Sequence, residues 1–294
     1  MMKRAEKNIV WLASYPKSGN TWFRVFLSNL LSESNEPVHI NELKETSIAS
    51  ARKPFDEITG LPSADLTHEE IDMLRPEVYR FIAAEAEETV YKKVHDAFIT
   101  LPGGRYMFPP EVSRAVVYFV RNPFDVAVSF AHHSARKPKQ MVEVINNPGY
   151  AFCSKRTKLY NQLRQQLGDW SFHVKSWTEQ KEIPVLTLQY EAMKREPFEH
   201  FKRATGFLGL QKTDEEISKA LENSRLDILQ EQEKENGFKE KMIKAESFFR
   251  KGAVGEWKDV FTRQEIEKIT AQHREVLKHF GYLTDKNEVV TGIK

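Results

Sequence analysis

Residues 8–31 read NIVWLASYPKSGNTWFRVFLSNLL, and the order of chemistry along them decides the fold. The first seven, NIVWLAS, form a short apolar run of the kind that makes a buried strand, and residues 20–31 place apolar side chains at turn spacing, which predicts a helix. Between the two, residues 15–22 (YPKSGNTW) make a tight loop. A helix N-terminus presents unpaired backbone N–H groups to an anion. Gly19 allows close backbone approach, Lys17 adds a point charge, and Ser18 and Thr21 add hydroxyl donors. This is a cradle for phosphate or sulfate. It is not a Walker A loop: GxxxxGK[ST] in register with Lys17 and Ser18 needs glycines where Trp11 and Pro16 stand.

The same pattern recurs downstream. Residues 115–120 (AVVYFV) read as a second buried strand closed by Arg121, Asn122 and Pro123, and a helix restarts with Asp125 as its expected N-cap. Residues 184–189 (PVLTLQ) read as a third strand ahead of Tyr190 and Glu191, followed by a helical stretch that Pro197 interrupts or restarts. Strands alternating with helices predict an α/β fold, a parallel sheet covered by helices on both faces. Ligands bind beyond the carboxyl ends of such strands, so the loops after residues 14, 120 and 189 are expected to gather at one site. Residues 32–90 lack strand signals. They include a helix announced by a capping box, Thr67 with Glu70, and are expected to form a helical insert. The charged stretch 213–244 reads as solvated helix faces.

Composition narrows the partners. A chain of 294 residues with 40% hydrophobic content supports one large domain spanning 1–294. Its 44 basic and 42 acidic residues give a net charge of +2, too balanced for a general nucleic-acid binder, so an anion site must be local. The single cysteine, Cys153, excludes a disulfide within the chain, fits a reducing cytoplasm, and is a poor nucleophile candidate. Residues 1–7 are charged, and Ser14 to Lys17 break the apolar run that follows, so no signal peptide is expected. No stretch has the length to span a bilayer.

Five further segments carry chemistry. RNPFDVAVS (121–129) holds Arg121 at a strand end and, eight residues on, the Ser129 hydroxyl; a guanidinium and a hydroxyl of this kind are chemically able to bind a phosphate, although an arginine at a strand end is ordinarily a salt-bridge partner. FRKGAVGEWKDVFT (249–262) brings Arg250, Lys251 and Gly252; Tyr190 and Phe238 (in ENGFKEK) are aromatic; and Lys93, Val94 and His95 place a histidine, the usual general base, beside a lysine. Together with YPKSGNTW, these segments resemble the cytosolic type of sulfotransferase. That family's loop reads YPKSGTTW, its histidine triplet is Lys-Thr-His, and its C-terminal segment is RKGxxGDWK. Asn20, Val94 and Glu256 are departures that keep the polar donor at 20 and the charge at 256.

The resemblance implies a P-loop-like parallel sheet flanked by helices, the sulfotransferase fold. It implies transfer of a sulfuryl group from 3′-phosphoadenosine 5′-phosphosulfate (PAPS) to a hydroxyl or amine of a small acceptor, with 3′-phosphoadenosine 5′-phosphate (PAP) as product and no metal. In that reading Ser18, Gly19, Asn20 and Thr21 cradle the phosphosulfate, and Lys17 and Lys93 stabilise the transferring group with His95 as base. Trp22, Tyr190 and Phe238 hold adenine, while Arg121, Ser129, Arg250, Lys251 and Gly252 hold the 3′-phosphate. The family's dimer motif KxxxTVxxxE appears over 258–267 with Arg263 at the valine place, which implies a monomer or a weak homodimer. The match covers 9–31, 91–130, 184–197 and 236–267, and leaves the acceptor side, 32–90 and 132–153, unread. Phe55, Phe98, Tyr106 and Phe130 are candidates for an apolar acceptor wall, with core packing as their ordinary explanation.

His132 and His133 lack an HExxH context and carry no metal expectation. Two rival readings remain. A nucleotide kinase or other phosphoryl transferase requires Mg²⁺ and so loses activity in chelator. A non-catalytic nucleotide-binding module keeps nucleotide affinity and shows no turnover.

Overall fold

A computed structural model describes residues 7–43 and 46–290. In chain order the elements begin with β1 (Ile9–Ser14), α1 (Asn20–Leu31), β2 (Thr46–Ile48), α2 (Arg52–Thr59), α3 (His68–Glu85) and β3 (Val90–Val94). There follow β4 (Ser113–Val120), α4 (Pro123–Ser134), α5 (Pro138–Ile145), the short strands β5 (Ala151–Phe152) and β6 (Gln165–Gln166), and α6 (Trp170–Thr178). Beyond them lie β7 (Val185–Gln189), α7 (Tyr190–Arg195), α8 (Pro197–Phe207), α9 (Asp214–Glu222), α10 (Leu226–Asn236), a 3-10 turn (Glu256–Asp259) and α11 (Arg263–His279).

The fold is the α/β arrangement that the strand and helix alternation predicts: a parallel five-stranded sheet flanked by helices. Its strand order is β2-β3-β1-β4-β7. β1 runs parallel to β3 with Leu12 beside Lys93, and β2 runs parallel to β3 with Ile48 beside the same lysine. All six residues of β1 are buried, as are Ala115–Val120 of β4, which is why both read as unbroken apolar runs. Tyr15, His95, Arg121 and Tyr190 each follow directly on the last residue of a strand.

The structure corrects the sequence reading in two places. The stretch 32–90 contains α2 and α3, but also β2 and the start of β3, so it is not purely helical. Asn122, not Asp125, caps α4: its side-chain oxygen accepts from the Phe124 N–H at 3.0 Å while Pro123 takes the first helical position, where no N–H is needed. Elsewhere the local chemistry is as expected. Thr67 and Glu70 form a reciprocal capping box at 3.2 and 2.7 Å, and the helix after β7 breaks at Glu196 and restarts at Pro197.

The chain divides into two compact units. Of the described residues, the first comprises 7–15, 46–118 and 148–187, the second 16–43, 119–147 and 188–290. In the first unit, Trp11 packs edge-on against Tyr79 and Phe108, and its indole N–H donates to Ser113 Oγ at 2.8 Å. Arg75, 1% exposed, clamps Asp96 with two hydrogen bonds of 2.9 and 2.8 Å. In the second unit, Phe23, Phe26, Phe119 and Phe201 interlock under α1. Among the described residues no helix is long and apolar enough to cross a membrane.

Candidate active site

In the second unit the loop before α1 has the backbone an anion cradle requires. Lys17 and Gly19 both lie in the left-handed region, at φ 69° and 100°, a nest-forming departure from ordinary loop geometry. Gly19 is the N-cap of α1 and supplies no side-chain cap, so the first N–H groups of the helix face outward unsatisfied by a cap. Ser18 is 1% exposed, and its hydroxyl has no hydrogen-bond partner among the described residues. A buried donor left unpaired costs about 1–3 kcal/mol. A phosphate or sulfate oxygen at this loop would satisfy it.

Arg121 ties the surrounding segments together. Its Nη1 donates to the Lys17 carbonyl at 3.0 Å and its Nη2 to the Ala253 carbonyl at 2.9 Å, while its guanidinium lies 4.3 Å from the centre of the Tyr190 ring. Its Nε is buried without a partner among the described residues, a second donor available to an anion. Tyr190 donates its hydroxyl to the Gly252 carbonyl at 3.0 Å, and the Asp125 carboxylate accepts from the Gly255 and Trp257 N–H groups at 2.7 and 3.3 Å. The expected phosphate segment 250–252 is therefore docked by Arg121, Tyr190 and Asp125. Burial raises the Asp125 pKa despite the Arg121 charge and these N–H donors.

Just beyond that segment, Glu256 holds both of its cations. Arg250 forms a paired hydrogen bond with its carboxylate, and Lys251 Nζ lies 3.6 Å away. Although burial opposes it, the Arg250 contact keeps Glu256 below the usual carboxylate range. Ser129 is half-buried on α4. Lys17 Nζ sits 3.7 Å from the centre of the Phe248 ring. Trp22 contacts Tyr190 edge-on at 6.5 Å and Phe201 at 4.8 Å. Phe238, 6% exposed, belongs to a different cluster with Val25, Leu229, Phe248 and Phe249. The structure thus joins the loop, Trp22, Tyr190, Arg121 and the 250–252 segment, and places Phe238 among core side chains.

In the first unit, Lys93 is the penultimate residue of β3 with 8% exposure, and His95, half-buried, follows the strand's last residue, Val94. His95 Nδ1 lies 2.9 Å from the Ser14 carbonyl oxygen. A carbonyl only accepts, so Nδ1 carries the proton and Nε2 is the basic nitrogen of the neutral ring. Phe152 meets the His95 ring edge-on at 6.3 Å, and Tyr150 meets Phe152 at 5.8 Å. The carbonyl of His95 is itself held by His173 Nε2 at 3.1 Å.

Ser14, Phe152 and His173 were not singled out in the sequence. A histidine in the apolar context of α6 (WSFHVKSWT) was the only available sign of the last. Phe55, Phe98 and Phe130 are core residues, 9% exposed or less; Tyr106 stacks on Phe98. Burial pushes the Cys153 thiol up to about 11, which keeps it a thiol at neutral pH. No cluster of metal-ligating side chains occurs among the described residues.

Comparison with known proteins identifies the family. Residues 7–281 match the sulfotransferase domain family. Flavonol 3-sulfotransferase of Flaveria bidentis is 28% identical over 90% of this chain and 80% of its own length, and sulfotransferase 1B1 of Mus musculus is 27% identical over the same shares. The crystal structure of mouse sulfotransferase SULT7A1 complexed with PAP shares the fold, with a TM-score of 0.61 at 22% identity, covering 94% of this chain and 89% of that one. The family match spans nearly the whole chain, and with the loop, the histidine triplet and the C-terminal segment in family order, the chain belongs to the sulfotransferase domain family.

Proposed function

We propose that this sulfotransferase moves a sulfuryl group from PAPS to a hydroxyl or amine of a small-molecule acceptor. The observation that carries the reading is the cradle at 17–19: two left-handed residues, an uncapped helix start, and the buried, unpartnered Ser18 hydroxyl. When bound, the donor supplies the sulfuryl group and departs as PAP. Ser18, Gly19, Asn20 and Thr21 would hold its 5′ end, largely through backbone N–H groups. Arg121, Ser129, Arg250, Lys251 and Gly252 would hold its 3′-phosphate. Trp22 and Phe238 would sandwich the adenine, with Tyr190 contacting it.

His95 would take the acceptor proton on Nε2, the nitrogen its Ser14 contact leaves unprotonated. The acceptor's oxygen or nitrogen forms the new bond to sulfur while the bond from sulfur to the phosphate oxygen breaks. Lys17 and Lys93 would stabilise the charge that develops on the sulfuryl and phosphate oxygens. For this, Lys17 exchanges its contact with Phe248, of the cation–π class of about 0.5–2 kcal/mol, for an ion pair.

The remaining parts of the reading concern setting. The whole chain would act as one sulfotransferase domain, with its acceptor side around residues 32–90. Relatives named cytosolic sulfotransferases favour a cytoplasmic site of action. Arg263 is 92% exposed and paired on its own helix with Glu267 at 2.8 Å, which favours a monomer or weak homodimer over a tight one. One assay tests the proposal: transfer of labelled sulfate from PAPS to a panel of phenols, alcohols and amines in excess EDTA. Transfer supports it. In a parallel assay with labelled ATP and Mg²⁺, phosphoryl transfer in the absence of any sulfate transfer contradicts it.

A further inference from the structure

The proposed base is held by a buried residue outside every motif described above. His173 sits on α6 with no exposed surface. Its Nε2 lies 3.1 Å from the His95 carbonyl oxygen and its Nδ1 2.9 Å from the Tyr118 hydroxyl. The carbonyl only accepts, so Nε2 carries the proton and Nδ1 accepts from Tyr118. Tyr118 in turn accepts from the main-chain N–H of Tyr15, and the Tyr15 and His173 rings meet edge-on at 5.4 Å.

These bonds close a circuit. The His95 ring donates to the Ser14 carbonyl, the next residue's N–H reaches Tyr118, Tyr118 reaches His173, and His173 returns to the His95 main chain. The same helix grips the following residues as well: Trp177 donates to the Asp96 carbonyl at 2.9 Å, and Ser176 accepts from the Phe98 N–H at 3.0 Å. Burial lowers the His173 pKa to about 4, so the ring keeps one donor and one acceptor at neutral pH. A protonated ring would present a second donor to Tyr118 and turn its hydroxyl away.

We propose that His173 is a positioning residue for the transfer reaction: with Tyr118, it fixes the His95 peptide, and thereby the direction in which His95 Nε2 meets the acceptor proton. The proposal rests on the reading of His95 as the base. An interaction that orients a base is lost from turnover and not from nucleotide binding.

The test compares His173→Phe, His173→Gln and Tyr118→Phe, with His95→Ala and the His95→Ala/His173→Phe double variant, in full-length protein. His173→Phe is expected to lower kcat tenfold or more while Kd for PAP stays within twofold. His173→Gln, whose amide N–H can reach the His95 carbonyl, recovers part of that loss. In the His95→Ala background, His173→Phe causes no further fall in the residual rate.

A kcat within twofold of the parent in His173→Phe overturns the proposal, as does an equal proportional fall in both backgrounds. If His173→Phe does not fold, Tyr118→Phe decides: lower kcat at unchanged Kd supports the role, and unchanged kcat overturns it. Full turnover in His95→Ala removes the base assignment and the proposal with it; an inactive His95→Ala beside a normal His173→Phe removes the proposal alone.

Discussion

Gly19 and Tyr190 approach so closely that no side chain fits between them: a Cβ on residue 19 would stand 2.8 Å from Tyr190 Cδ2. The tyrosine has little freedom to yield, because its hydroxyl is bonded to Gly252 and its face is covered by Arg121. Gly19 also holds φ at 100°, which costs an L-residue about 1–2 kcal/mol. Gly19→Ala is therefore expected to disturb the loop and the adenine side together. Calorimetry should show PAP binding weakened at least tenfold, and thermal unfolding a midpoint lowered by several degrees.

The contact between His95 and the Ser14 carbonyl leaves Nε2 as the only basic ring nitrogen. General-base catalysis contributes about 10²–10⁴-fold to rate. His95→Ala should lose turnover by that order and keep its affinity for PAP within about twofold. Parallel kinetics and calorimetry check both halves of the expectation.

Asp125 holds the 250–257 segment by two main-chain N–H groups. In Asp125→Ala both donors lose their acceptor, at about 1–3 kcal/mol for each one that stays buried. The variant should bind PAP more weakly, and limited proteolysis should cut near residues 242–256 faster than in the parent. Equal cleavage in both proteins would show that the segment is held by other contacts.

The contrast between Asp125 and Asn122 shows what sequence order conveys. Asp125 has the composition of a cap, but Pro123 moves the helix start forward, and the cap falls to Asn122. β1 and most of β4 were legible because burial on both faces leaves an unbroken apolar run. β3 (VYKKV) was not, because two lysines interrupt it, and β2 is only three residues long. In the site, Gly19, Arg121 and Tyr190 could be placed because they stand at strand or helix ends inside recognisable segments. His173 could not: its partners, Tyr118 and His95, lie 55 and 78 residues away, and only the fold brings them together.

His173 also predicts a pH dependence of stability. Its pKa falls from about 6.5 in the unfolded chain to about 4 in the folded one, chiefly through burial. The unfolded state therefore binds the proton first as pH falls. The associated stability is complete above about pH 6.5 and is lost towards pH 4, by up to ~1.4 kcal/mol per pH unit and about 3 kcal/mol in all. Urea unfolding of the parent and of His173→Phe across this range should show the steeper decline in the parent.

A site for a 3′-phosphorylated adenine nucleotide in the second unit is what separates the proposed sulfotransferase from a nucleotide kinase. The most direct measurement is calorimetric titration in EDTA with PAP and, separately, with ADP, using the parent protein and Arg121→Ala. Strong preference for PAP is expected in the parent, and loss of that preference in Arg121→Ala. Equal or tighter binding of ADP by the parent would contradict it.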